Sequence, residues 1–313
     1  MASQEGESYV WTLGDDVEKI AKNEINELPE DRANKIELLR QWVKKHPYID
    51  SRTDDRFLLK FLRAAKFSLL RAQEKLTDYI IARTSQIEGS PEWFNTDPND
   101  KNIQGLLEYG VHIVLPGTDP LGRRVIMVRQ IPQVKEFSQH DMTRLLFMSM
   151  ELLLRDELAQ INGIVLIVDC ETMFTGAVAF WTRERMKRAC KCWQDALPMR
   201  MKAAHYLQMP AFVNVMFEFC KIFLSRKMAK RLHLHSNLNG LYQTVPKSML
   251  PKEYGGGAGP LSELKRAWIE EFSRSREYLL SLAACRVDDT KLPRKEEKDD
   301  GWGMVGTYRK LPE

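Results

Sequence analysis

The segment Gly163 to Val168 (GIVLIV) has no polar side chain and is closed off by Asn162 before it and Asp169 after it. A run of that length and composition reads as a strand buried on both faces, which needs helices above and below the sheet. The neighbouring signals fit. Val111 to Leu115 (VHIVL) and Val125 to Val128 (VIMV) flank a turn-forming Pro116 to Gly122, which predicts a hairpin. Helical periodicity covers Asp141 to Leu158 and about Ala177 to Asp195, and Ala203 to Leu207 (AAHYL) reads as a further strand. Strand, helix, strand, helix, strand implies parallel pairing through crossover helices, hence an α/β sheet. A last strand is expected near Leu241-Tyr242, then a turn at Gly255-Gly256-Gly257 and a helix from about Leu261 to Leu282.

Upstream, Asp15 to about Gln86 is helical throughout. Ile36, Leu39 and Val43 form one apolar stripe, ended near His46-Pro47. Thr53 is placed to cap the next helix, whose stripe is Phe57, Leu58, Phe61 and Leu62. Ser68 is placed to cap a third, with Ala72, Leu76, Tyr79 and Ile80 inside. Turn formers at Gly89-Ser90-Pro91 and Asp97 to Asp100 mark a boundary. Three regions follow: a helical domain over 1–95, an α/β domain over 96–282, and a charged tail over 283–313 that is expected to be mobile from Asp288 onward.

Several function classes find no support. There is no G-x-S-x-G elbow, no H-E-x-x-H pair, no Walker loop and no G-x-G-x-x-G after a strand, so no enzyme is expected. The six histidines are scattered; His233 and His235 can share one face of a strand, yet no Cys or carboxylate spacing completes a metal set. The five cysteines include no CxxC pair and fit reduced thiols. Met1 to Glu7 is acidic and lacks an apolar segment, and no stretch reaches the roughly 18 apolar residues that span a bilayer. A cytoplasmic protein, a monomer without a cofactor, is therefore expected. Net charge is only +4, from 47 basic and 43 acidic residues, so positive potential must come from local clustering.

One such cluster exists. Ala211 to Leu224 (AFVNVMFEFCKIFL) places Phe212, Val215, Met216, Phe219 and Phe223 at helical spacing, with Asn214, Glu218 and Lys221 on another side. Ser225 to Arg231 follows at once with four cations in six residues, Lys227 and Arg231 one turn apart. Arg200 and Lys202 alternate on the approach to a strand. A basic cluster abutting a bulky apolar helix is what adsorption to an anionic lipid surface demands. Nucleic acid would need the charges without the apolar helix, and no nucleic-acid motif is present.

These residues resemble the CRAL-TRIO lipid-transfer family, in its branch of tocopherol- and retinaldehyde-binding carriers. The stretch Asp55 to Phe67 (DRFLLKFLRAAKF) is similar to the signature of that family's helical domain. Asp119 to Arg123 (DPLGR), Asn162-Gly163 before the strand ending at Asp169, Leu232 to His235 (LHLH) and Leu250 to Gly256 (LPKEYGG) match in the right order.

The resemblance implies a helical N-terminal domain and an α/β lipid pocket, floored by the sheet and covered by a movable lid helix at residues 209–224. It implies pocket-lining roles for Thr143, Leu146, Phe147, Met150, Val168, Cys192, Met201, Phe212, Met216 and Phe219, and phosphoinositide binding by Arg200, Lys202, Lys227 and Arg231. Two departures stand out. Ala65 occupies the place of a basic residue that helps the family's phosphate site. Met199, after Pro198, replaces the glutamate of the branch that exchanges phosphatidylinositol. Met150, Met199, Met201 and Met216 would make the pocket adaptable. The expectation is a carrier peripheral at membranes. It would exchange one hydrophobic molecule (a tocopherol such as vitamin E, a retinoid, a carotenoid or another isoprenoid) at phosphoinositide-bearing surfaces. The alternative is a phosphoinositide-sensing scaffold whose pocket lipid is structural.

Overall fold

The computed structural model describes residues 8–89, 91–173 and 179–293. A five-stranded sheet stands at the centre, in the order β2 (His112–Val114), β3 (Arg124–Arg129), β4 (Ile164–Asp169), β5 (Met201–Leu207), β6 (Leu232–His235). The β2–β3 hairpin is antiparallel, and every later pairing is parallel. β4 lies mid-sheet with all six residues buried, as its unbroken apolar run requires.

The two faces of the sheet serve different ends. Ile113, Val125, Met127, Val165, Ile167 and Ala203 pack on one side against Leu241, Leu250 and Tyr254. Ile126, Val128, Leu166, Val168 and Ala204 point to the other side, toward Phe147 of helix Gln139–Leu153 and Ala189 of helix Arg183–Lys191. Pairing slips between Ile164↔Met201 and Val165↔Ala203, leaving Lys202 as the extra residue of a bulge. The bulge lets Met201 and Ala204 face the same side and throws Lys202 outward.

Among the described residues five α-helices (Asp15–Ile25, Pro29–Lys45, Asp55–Ala64, Leu69–Thr84 and Lys101–Glu108) precede the sheet. Leu39, Leu58, Phe61 and Leu76, from the second to fourth of them, form one cluster with Leu145 and Met148 of helix Gln139–Leu153 and with Trp268, Phe272 and Leu282, whereas Ala21 and Ile25 of the first pack with Ile161. The strand pair β1 (Ile49–Asp50) and β7 (Arg286–Val287) closes this layer. The start of the charged tail is held rather than free: Asp288 N–H donates to the Tyr48 carbonyl, and the Asp289 carboxylate accepts from Ser85 Oγ at 2.7 Å and Gln86 N at 3.0 Å.

The family-like motif is built into this layer's polar interior. Arg63, with no exposed surface, donates to Glu27, Glu157, Gln160 and Tyr9 at 2.8–3.0 Å. Lys60 lies 3.5 Å from the buried Glu151 carboxylate and 4.5 Å from the Phe57 ring centroid; Arg83 and Tyr79 donate to the same carboxylate.

Several local expectations are corrected. Asp54, not Thr53, caps the helix from Asp55, its carboxylate accepting from Phe57 N, because it sits one residue nearer the free N–H groups. Ser68 is at the cap position but makes no side-chain cap bond. Leu241-Tyr242 is no strand: Asn237 accepts from Gly240 N and starts the helix Leu238–Tyr242, while the strand is Leu232–His235. The helix over Asp141 to Leu158 is two, Gln139–Leu153 and Glu157–Asn162, and the one from Leu261 breaks at Ser275. The predicted start at Ala177 lies outside the described residues; the helix described there is Arg183–Lys191, running into a π turn at Cys192–Ala196.

Candidate functional site

Helix Ala211–Ile222 lies over the Phe147 side of the sheet and roofs a cavity of about 240 Å³. Its entry passes through Gln208, held at a φ of 51°, and Pro210. The floor is Val128, Leu166, Val168, Met201 and Ala204; the walls include Leu146, Phe147, Trp181 and Trp193. Seven methionines, 142, 173, 186, 201, 209, 216 and 228, line it, and these side chains can repack around a guest. No Asp, Glu, Lys or Arg is among the described lining residues. Three polar atoms in the lining are buried and lack a hydrogen-bond partner: His112 Nε2, Gln130 Oε1 and Gln139 Nε2.

Six of the ten pocket residues expected from the sequence (Thr143, Leu146, Phe147, Val168, Met201 and Met216) are brought together around this cavity. The other four are not. Met150 and Cys192 are buried in the core behind it, and Phe212 and Phe219 lie on the roof helix away from it. The stripe expected on that helix is out of phase with burial. Val213 and Phe217 are buried and line the cavity with Met216, Cys220 and Leu224. Phe212, Val215 and Ile222 are 38%, 76% and 73% exposed, and Phe219 packs edge-on against Phe223. At 100° per residue the helix therefore carries two adjoining apolar faces, one inward and one outward, with Asn214, Glu218 and Lys221 confined to the remaining arc. Of the four methionines expected at the pocket, Met201 and Met216 line it, Met150 is in the core, and Met199 lines the cleft described next.

Arg200, Lys202, Lys227 and Arg231 all line one cleft of about 580 Å³, together with Lys66 and Glu24. Lys202, thrown out by the bulge, donates to Glu24 at 2.7 Å, and Arg200 donates to the same oxygen at 2.9 Å. Hydrogen bonding from Lys202 outweighs burial and holds the Glu24 carboxyl below the usual carboxylate range. Lys227 is exposed and has no such acid among the described residues: Arg231 above all, then burial, Lys66, Arg200 and Lys202, lower its ammonium from the ordinary lysine value. Such crowding of like charge favours an anion. Ala65 is buried in the core, but its neighbour Lys66, in a left-handed conformation (φ 53°), borders the cleft. Glu24 and Lys66 carried no sequence signal, since their place depends on how helices far apart in the chain pack.

The cavity and the cleft touch. Trp193, Met201 and Met228 line both, so one layer of side chains separates the apolar interior from the cations. Trp193 reaches this wall from the π turn that ends its helix.

Comparisons with known proteins settle the family. The CRAL/TRIO domain matches residues 108–256, and a Pinta-like UBA domain matches residues 28–103. An alpha-tocopherol transfer protein-like protein of Homo sapiens is 36% identical over 258 residues, covering 81% of this chain and 73% of its own. The chain belongs to the CRAL-TRIO family. Clavesin-2 of Homo sapiens is 29% identical over 282 residues, covering 88% of this chain and 83% of its own. The crystal structure of Sfh5 superimposes with a TM-score of 0.50 at 15% identity, over 81% of this chain and 92% of that one, a likeness of fold. Among the described residues no helix is long and apolar enough to cross a membrane, and no group of three or more His, Cys, Asp or Glu side chains could hold a metal ion.

Two buried histidines make the fold acid-sensitive. Burial pushes His112 down to about 3, and burial with His233 and His235 pushes His205 down to about 4. Both are neutral in the folded chain, whereas unfolded histidine takes up a proton near pH 6.5. Stability conferred by the neutral rings is thus complete above pH 6.5 and is lost as pH falls toward 4. Where both differ, the slope is at most about 2.7 kcal/mol per pH unit. Urea unfolding from pH 7 to pH 4.5 should show the fall, and His205→Gln should roughly halve the histidine part of the slope.

Proposed function

We propose that this chain is a lipid-transfer protein that carries one neutral hydrophobic molecule, a tocopherol, retinoid or other isoprenoid, and exchanges it at phosphoinositide-bearing membranes without chemical change. The observation that carries this reading is the shared wall of Trp193, Met201 and Met228 between an apolar cavity and a cationic cleft. Head groups gathered by Arg200, Lys202, Lys227 and Arg231 would set the outward face of helix Ala211–Ile222 against the acyl region. Phe212, Val215 and Ile222 could then gain the burial they lack in the free protein. Movement of that helix would uncover the cavity.

The lining supports a neutral guest, because an ionised group inside would meet no counter-charge from the described residues. His112, Gln130 and Gln139 could serve a single polar end such as a hydroxyl. The volume of about 240 Å³ lies below the ~300–1,000 Å³ of ordinary ligand pockets. Loading a whole isoprenoid would require the methionines to repack or the roof helix to shift.

Extraction of the purified protein and mass spectrometry test the reading. A neutral isoprenoid lipid at near one per chain is expected; an ordinary phospholipid, or nothing, would sink it. Glu24→Gln should free Arg200 and Lys202 and tighten binding to vesicles containing phosphatidylinositol bisphosphate by about fivefold, from ~1 kcal/mol per unit charge near the surface. Flotation of wild type and variant at matched salt gives the comparison.

A further inference from the structure

Cys190 and Cys220 present their sulfurs to each other at 3.6 Å, from two different helices and across one edge of the cavity. Cys190 belongs to helix Arg183–Lys191, which is fixed in the core through its own buried Met186 and Ala189. Cys220 belongs to the last turn of helix Ala211–Ile222, the roof. The same end of the roof has only one other described polar tie to the body, Gln194, which donates to the Phe223 carbonyl at 2.9 Å and accepts from Ser225 N at 2.7 Å. We propose that these two thiols form a reversible disulfide that fastens the roof helix shut, making the cavity's opening dependent on oxidants of the hydroperoxide class.

The two sulfurs are suited to the two halves of that reaction. Cys220 is half-buried and can be reached, whereas Cys190 is 4% exposed. The hydrogen bond from Cys190 holds the Cys220 thiol below the usual thiol value; the same contact, together with burial, holds Cys190 above it. Cys220 is therefore the attacking thiolate and Cys190 the resolving partner. The Cys220 thiolate attacks one oxygen of the hydroperoxide, breaking the O–O bond. The leaving oxygen takes up a proton as water or alcohol, and a sulfenic acid forms. Cys190 sulfur then attacks the Cys220 sulfur, and the sulfenic oxygen leaves with two protons as water. Two thiols have lost two electrons to one peroxide bond, and a thiol reductant reverses the change. Closing from 3.6 Å to the ~2.05 Å of a disulfide falls to side-chain rotation and a small helix shift. Cys170 and Cys192, both pushed up to about 12 by burial, remain thiols.

The clamp's effect on transfer rests on the lipid-transfer reading, but the clamp itself can be read without lipid. The intact protein is treated with a small excess of hydrogen peroxide, digested without reductant and mapped by mass spectrometry, and amide hydrogen exchange is followed over residues 211–222. The expected result is a Cys190–Cys220 peptide with a mass loss of about 2 Da. Exchange in the roof helix should slow by about tenfold or more, return to the starting rate with dithiothreitol, and stay unaffected by peroxide in both Cys220→Ser and Cys190→Ala. A different pairing, no pairing, or a cross-link that leaves exchange unchanged would overturn the proposal. Failure to find a bound lipid would overturn only the transfer reading.

Discussion

Replacing both Lys227 and Arg231 by glutamate should weaken binding to vesicles containing phosphatidylinositol bisphosphate by about three orders of magnitude. Each cation beside an anionic surface contributes ~1 kcal/mol, so reversing two charges removes ~4 kcal/mol, and every 1.4 kcal/mol is tenfold. The variant should keep its fold, because Lys227 is exposed and the described contacts of Arg231 are to the Met201 carbonyl and the Met228 sulfur. The new carboxylates would also sit beside Lys66, Arg200 and Lys202, replacing repulsion with attraction inside the cleft. Wild-type binding should fall steeply with salt, and the variant's residual binding should not. Ligand retention in solution should be unchanged, which separates a membrane defect from a damaged cavity. Equal flotation of variant and wild type would remove the membrane half of the proposed function.

The second large effect is on stability. Arg63→Met should destabilise the fold by about 3–5 kcal/mol, because it leaves the fully buried Glu27 carboxylate with Arg32 alone and takes a donor from Glu157 and Gln160. In a chain of this size that is a fall of order 10 °C in the unfolding midpoint. Adding Glu27→Gln should recover part of the loss, since the stranded charge is then gone, and the non-additivity measures the coupling between the two side chains. A fall below about 1 kcal/mol for Arg63→Met would show the network to be solvated in the folded protein. Arg63 lies in the stretch that resembles the family signature, and its part there is to join the helical layer to helix Glu157–Asn162 just before β4.

What the sequence made legible follows from where information is local. The apolar run of β4, the hairpin from Val111 to Val128 and the parallel order were readable because two-sided burial and turn chemistry leave marks within ten residues. The cations were readable as a set because they stand in two short stretches, 200–202 and 227–231, and the fold gathers all four in one cleft. The phase of the roof helix was not readable. Phe212, Val215 and Phe219 are as apolar as Val213, Phe217 and Cys220, and periodicity cannot say which face turns inward when both are greasy. The bulge at Lys202 left no local mark, yet it decides that Met201 enters the cavity. At Leu241-Tyr242, where a strand is expected, the cap supplied by Asn237 is the deciding signal, and it starts a helix.

The pairing of Ile49 with Val287 has a consequence for how the chain is made. The first helices leave the ribosome long before Trp268, Phe272 and Leu282 exist to cover Leu58 and Phe61. At ~5–20 residues per second, synthesis of the intervening chain takes tens of seconds. Throughout that interval the nascent helices can pack on one another but lack the cover of Trp268, Phe272 and Leu282, so ribosome stalling upstream of residue 268 should leave the early chain aggregation-prone and protease-sensitive.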